Sequence, residues 1–224
     1  MQAKPLNILI TGANRGIGLE LSRLYQQQGA RVYACCRSRS APLEALGVQV
    51  IEGIDVSSDD SVRELAAQLQ GIQIDLLINN AGIFLNESLE QMNYNSIEQQ
   101  FAVNALGPLR VTHALLANLA AGSKVAMITS RMGSIADNES GQYYGYRMSK
   151  AALNAASMSL TQDLKPRNIS VGIYHPGYVA TEMVGGRGDI SPDVAAKRLA
   201  TLFEQQCLAS SGEFRHSNGE VLPW

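Results

Sequence analysis

An open, doubly wound α/β fold, with a parallel sheet of about seven strands and helices on both faces, is predicted by three features of the sequence. Short apolar runs recur, each closed by a small or polar residue: LNILI before Thr11, ARVYACC before Arg37, VQVIEGI before Asp55, IDLLI before Asn79, KVAMIT before Ser130 and ISVGIY before His175. Runs of this length without strict alternation suit strands buried on both faces. Segments of helical period lie between them, and such alternation implies right-handed strand–helix–strand crossovers. No repeat, linker or low-complexity tract interrupts the 224 residues, so one domain spanning 1–224 is expected.

The first helix is predicted over 16 to 28, where Gly29 supplies a C-terminal cap, and a further one over 58 to 70, stopped by Gly71. Asn93 to Ala121 has the period of one long helix, and Tyr143 to Leu164 ends before Pro166, which cannot continue it. Little room is left for a helix after the second strand. Each polar closing residue falls at the carboxyl end of its strand, the edge where open α/β sheets bind ligands.

Composition narrows the function. A net charge of −2 with no basic run offers no footprint for nucleic acid. Cys35, Cys36 and Cys207 form an odd set without CxxC spacing, which argues against a disulfide framework or a metal site. His113, His175 and His216 share no ligand spacing. The apolar run near the amino terminus is too short for a signal sequence, and no segment approaches the roughly 20 apolar residues of a membrane span. A reducing, cytoplasmic setting without membrane partners is expected.

TGANRGIG at 11–18 follows a strand and opens a helix, the context of a phosphate-binding turn. Gly12, Gly16 and Gly18 let the backbone turn tightly and approach a pyrophosphate, whose charge the helix amino end favours. An ordinary glycine-rich turn is the bland alternative, but the second strand completes a Rossmann-type unit. That strand ends in Cys36-Arg37-Ser38-Arg39 with no acid to hold a ribose 2′-hydroxyl. Arg37, helped by Arg15 and Arg39, could neutralise a 2′-phosphate, which favours NADP(H) and leaves NAD(H) open. A solvated surface cluster is the alternative. In YYGYRMSK, residues 143–150, helical spacing pairs Tyr146 with Lys150.

TGxxxGxG at 11–18, Asp55-Val56, NNAG at 79–82, Asn104, Ser130, Tyr146-x-x-x-Lys150 and Pro176-Gly177 with Thr181 resemble, in order and spacing, the short-chain dehydrogenase/reductase family. SRMGSI, YGYRMSKAALNAAS and HPGYVATEM look like its C-factor-like and sniffer-like carbonyl reductases. The resemblance spans Leu6 to Trp224. It implies Asn14 and Ile17 with the glycine turn against the cofactor, Asp55 and Val56 near the adenine, and Asn79, Ala81 and Gly82 near the adenosine half. Pro176, Gly177, Val179 and Thr181 would face the nicotinamide carboxamide.

The chemistry so implied is hydride transfer between a nicotinamide and a carbonyl or alcohol. Tyr146 would be the general acid, its phenol made more acidic by Lys150, with Ser130 donating to the same oxygen. Lys150 would also contact the nicotinamide ribose, and Asn104 would hold a water linking Lys150 to solvent. For Asn104 a buried amide bonded to backbone is the alternative, and for Tyr146 with Lys150 a surface pair. Ser130, Met132, Tyr144, Tyr146 and Met183 are candidates for substrate contact, in a shallow, open site. Ala151, Ala152, Ala155 and Ala156 make a flat helix face, compatible with a homodimer or homotetramer. A nucleotide-binding signalling protein of C-factor type is the competing function. An epimerase would space its glycines differently, and a methyltransferase would want the missing acid.

Overall fold

The computed structural model describes residues 4–224, and the first three residues of the expected domain lie outside it. Seven strands, β1 (Asn7–Thr11), β2 (Arg31–Cys35), β3 (Gln49–Ile51), β4 (Ile74–Asn79), β5 (Leu119–Ile128), β6 (Ser170–His175) and β7 (Phe214–His216), form one sheet. Their order is β3-β2-β1-β4-β5-β6-β7, with every neighbouring pair parallel. The chain leaves β1 in one direction and returns on its other side at β4, so a crevice opens at that switch point.

Successive residues of one strand feed opposite cores, as a period of two demands. Leu9, Leu77, Val125 and Val171 pack with Val62 and Leu65 of α3 (Asp59–Gln68), Val111 of α5 (Gly107–Ala114) and Leu153 of α6 (Tyr144–Leu164). Ile8, Ile10, Ile78 and Ala126 pack on the other face with Leu21 and Tyr25 of α1 (Gly16–Gln27) and Leu199 and Phe203 of α7 (Pro192–Gln205). The sheet is thus buried on both sides, as its unalternating sequence required. The segment after β2 holds only α2 (Ala41–Glu44).

The long helix expected over Asn93 to Ala121 is corrected. The chain forms α4 (Tyr94–Phe101), a π turn (Ala102–Leu106) and α5, and β5 already begins at Leu119. Asn118 is the cause of the early stop: its buried amide donates to the carbonyls of Leu69 (2.7 Å) and Ile72 (2.8 Å), anchoring the turn to the end of α3. The apolar residues beyond it suit a buried strand as well as a helix, so periodicity alone could not separate them. Among the described residues no helix is long and apolar enough to cross a membrane.

Candidate active site

A cleft of about 730 Å³ runs along the carboxyl rim of the sheet from Arg37 past Gly12 to Tyr146 and Met183. At one end its wall is backbone. Gly12 has φ +66°, and a Cβ there would lie 2.8 Å from the Ala81 Cα. A Cβ on Gly18 would strike the Gly12 carbonyl and come within 2.6 Å of the Asn80 amide nitrogen. Only glycine permits this approach of β1, α1 and the chain after β4. Arg15, at the N-cap of α1, makes no side-chain cap bond, which leaves the first helical N–H groups to the cleft.

Thr11 and Asn80 lock the turn. The Thr11 hydroxyl accepts from the N–H of Asn80 (3.0 Å) and Ala81 (3.1 Å), and the Asn80 side chain donates to the carbonyls of Thr11 (3.0 Å) and Gly12 (3.1 Å). Asn80 therefore lines the cleft in the place expected for Asn79. Asn79 is buried behind it, donating to Thr112 Oγ1 at 3.1 Å, because adjacent residues of an extended chain face opposite ways. The doubled asparagine in NNAG gave no basis for choosing between them.

Asn14, Arg15, Gly16, Ile17 and Arg37 line the same end. Asp55 and Val56 do so from the β3–α3 turn. Bonds from Ser57, at 2.7 Å to its hydroxyl and 2.9 Å to its N–H, hold the Asp55 carboxyl below the usual range, with the Arg37 charge adding to the effect. Arg37 itself makes no ion pair among the described residues. Arg39 does not line the cleft and pairs instead with Glu52 (2.7 Å) and Glu44 (3.5 Å). Arg15 reaches across the cleft to Glu182 at 2.8 Å, a pair exposed on both sides.

At the other end the wall is made of side chains. Tyr146 and Lys150 both line it, the Lys150 Nζ standing 5.7 Å from the centre of the phenol ring. Lys150 is 4% exposed, donates to the Ile128 carbonyl at 2.9 Å, and is lowered by desolvation to about 8. Tyr146 is pushed up to about 12 by desolvation, against a hydrogen bond with Ser130 that pulls it down. Without a cofactor, desolvation is the largest influence on the phenol. Burial disfavours the charged form of both groups.

Ser130 caps the 3₁₀ turn after β5, its hydroxyl accepting from the Met132 N–H at 3.1 Å, and lies behind the wall of the cleft rather than on it. Asn104 sits fully buried inside the π turn, a distortion that frequently marks functional sites. Its oxygen accepts from the Ile83 N–H (2.8 Å), and its nitrogen donates to the Ile83 carbonyl (2.9 Å) and to the Ser149 hydroxyl (3.0 Å). This is the buried-amide arrangement. It brackets Ile83 beside Gly82, where a Cβ would lie 3.3 Å from Asn104 Oδ1 and 3.8 Å from Lys150 Nζ.

Ala81, Gly82, Pro176, Thr181 and Met183 line the cleft, but Met132, Tyr144, Gly177 and Val179 do not. Gly177 shapes the loop after β6 with φ +98°, and Val179 is buried in a bridge to Ile190. Tyr143 stacks on Phe84, which also meets the Tyr146 ring edge-on at 4.8 Å. Phe84 and its neighbours are the main omission of the sequence reading. Nothing local distinguishes that segment from a loop.

A glycine-cradled cleft at the switch point of a doubly wound sheet, with a tyrosine and a buried lysine at its far end, defines a dinucleotide-dependent oxidoreductase. The model of the short chain dehydrogenase family matches residues 6–189, and the chain belongs to that family. It is 38% identical over 223 residues to the 1-hydroxy-2-glutathionyl-2-methyl-3-butene dehydrogenase of Rhodococcus sp. (strain AD45), covering 97% of this chain and 99% of that one. It is 41% identical over 154 residues to the C-signal of Myxococcus xanthus, covering 67% of this chain and 93% of that one. The NADPH-bound carbonyl reductase from chicken fatty liver superposes with a TM-score of 0.89 at 26% identity, covering 99% of this chain and 100% of that one.

Proposed function

We propose that the protein is an NADPH-dependent reductase of aldehyde or ketone carbonyls, with Tyr146 as general acid. The observation that carries this is the convergence of Tyr146 and Lys150 on the cleft that the glycine turn and Arg37 open at its other end. The cradle fits a dinucleotide, because the first N–H groups of α1 carry no side-chain cap and open onto a cleft walled there by the glycine turn. Gly12, Asn14, Ile17 and the first N–H groups of α1 would hold the phosphates, Asp55 and Val56 the adenine, and Arg37 with Arg15 a 2′-phosphate. Pro176 and Thr181 would meet the nicotinamide, which supplies the hydride when bound.

Tyr146 gives its proton to the oxygen on which negative charge builds, and the Ser130 hydroxyl, just behind the cleft wall and near enough to the phenol to lower its pKa, would turn from the Met132 N–H to steady that oxygen. The two pKa values order the next step. Burial raises the phenol and lowers the ammonium, a direction that favours return of a proton from Lys150 to Tyr146 after turnover. A ribose hydroxyl contacted by Lys150, as the family resemblance implies, would relay that proton. Asn104 acts in this scheme through Ile83 and Ser149, whose hydroxyl donates to the Tyr146 carbonyl at 2.9 Å.

The competing function is nucleotide-dependent signalling with little turnover, which the C-signal relative favours. NADPH consumption across a carbonyl panel by wild type and Tyr146→Phe separates them. The panel includes a glutathionyl alcohol run with NADP⁺, because the Rhodococcus relative is named for such a substrate. Tyr146→Phe is expected to lose about a hundredfold or more in kcat while still binding NADPH. Equal rates, or no consumption by either protein, would favour signalling.

A further inference from the structure

We infer that Glu87, in the loop between β4 and α4, is a positioning residue for the reaction: its carboxylate anchors the amino end of α6 and so fixes Tyr146 against the cleft. This rests on the reductase function proposed above. Glu87 is 1% exposed. Its Oε2 accepts from the Gly145 N–H at 3.0 Å, and its Oε1 accepts from Gln100 Nε2 at 2.8 Å and from the Ser96 hydroxyl. Its backbone carbonyl accepts from the Tyr143 N–H at 2.9 Å.

The amino end of α6 needs an outside partner. Tyr143, its N-cap residue, lies in the left-handed region at φ +53° and makes no side-chain cap bond. Gln142 before it has φ +56°. A carboxylate from a segment 58 residues away supplies the missing cap, and its charge suits the positive end of the helix dipole. Gly145 makes room, for a Cβ there would strike the Gln100 amide and lie 3.0 Å from the Ile97 Cα.

The same loop grips the site at each step along it. Ile83 is bracketed by Asn104, Phe84 packs on Tyr146, the Leu85 N–H donates to Gln100 Oε1 at 3.0 Å, and Glu87 holds Gly145. The Leu85 N–H demands the Gln100 oxygen, which turns the Gln100 nitrogen to Glu87, and the Gly145 N–H demands an acceptor from Glu87 in turn. Near-attack geometry is sensitive to shifts of this kind, where about 1 Å can cost a hundredfold in rate.

Glu87→Gln places an amide nitrogen against donors. The double variant Glu87→Gln with Gln100→Glu reverses the pair: the new amide at position 87 accepts from the Gly145 N–H and donates to the new carboxylate at position 100, which still accepts from the Leu85 N–H, while the Ser96 hydroxyl turns to its other acceptor, the Asn93 carbonyl, and the 3.3 Å bond to the Ser96 carbonyl is given up. Both are compared with wild type for kcat on the carbonyl it reduces fastest and for NADPH affinity by nicotinamide fluorescence. The single variant is expected to lose about tenfold or more in kcat at unchanged NADPH affinity, and the double variant to recover most of it. Three results would overturn the inference: wild-type kcat in the single variant, a bound but slow double variant, or parallel loss of NADPH binding and kcat in both. Absence of turnover by wild type itself would instead refute the reductase function.

Discussion

The phosphate end of the cleft is made by backbone that lacks side chains, whereas the Tyr146 end is made by buried side chains drawn from loops, a π turn and two helices. At the first, Gly12 and Gly18 act by leaving space, and local chain geometry decides the result. At the second, Asn104, Glu87, Gln100 and Ser149 act by satisfying one another at long sequence separation, so a change at one member propagates to Tyr146. One end should therefore fail in binding. The other should fail in rate.

The contrast is sharpest in a pair of variants. Tyr146→Phe, described above, should show the largest effect and confine it to kcat. Gly12→Val should do the opposite. It forces a branched residue into φ +66° with a Cβ 2.8 Å from backbone, so the turn must open and move its N–H groups off the pyrophosphate. NADPH affinity, measured by fluorescence titration, is expected to fall about a hundredfold, on the order of 3 kcal/mol. Retained affinity in Gly12→Val would mean the glycines serve packing alone and the two ends do not divide the work.

Arg37→Ala tests a smaller effect at the binding end. Arg37 is exposed and unpaired by any carboxylate among the described residues, and Arg39 cannot replace it while held by Glu52 and Glu44. NADPH affinity should drop about tenfold at low salt, less at high salt, and NADH affinity should stay the same. An unchanged ratio of the two affinities would remove Arg37 from cofactor choice.

The same division explains what the sequence revealed. The sheet, both helical layers, the glycine turn and Tyr146 with Lys150 were legible because each is written in local spacing: apolar runs, a capping glycine, a turn between strand and helix, an interval of four. Asn80 rather than Asn79, the end of α5 at Ala114 with the turn anchored by Asn118, and the Phe84–Glu87 loop were not. Each depends on which way a residue faces once distant segments meet, and a polar loop residue such as Glu87 has no periodicity to betray its burial. Spacing likewise shows that a cation lies near Tyr146 but not how far both groups are desolvated.

That desolvation sets a further effect, smallest once the loss of a hydrogen bond offsets it, which falls on stability. Lys150 titrates at about 8 in the folded chain against 10.5 for an ordinary lysine. Between those values the unfolded chain binds more protons than the folded one, so Lys150 destabilises the fold increasingly as pH falls from 10.5 to 8, and fully below that. The shift corresponds to about 3 kcal/mol at neutral pH. Lys150→Met removes this penalty but strands the Ile128 carbonyl, at a cost of about 1–3 kcal/mol that does not vary with pH. The difference in Tm between the methionine variant and wild type should therefore be most favourable to the variant near pH 7, and should shrink by several degrees as pH rises toward 10.5. Thermal unfolding at a series of pH values reads this directly. A difference independent of pH would show that the ammonium keeps its hydration. A pH-dependent difference would mean that burying Lys150 beside Tyr146 weakens the fold near neutral pH, the cost expected if the proposed proton-transfer role keeps it there.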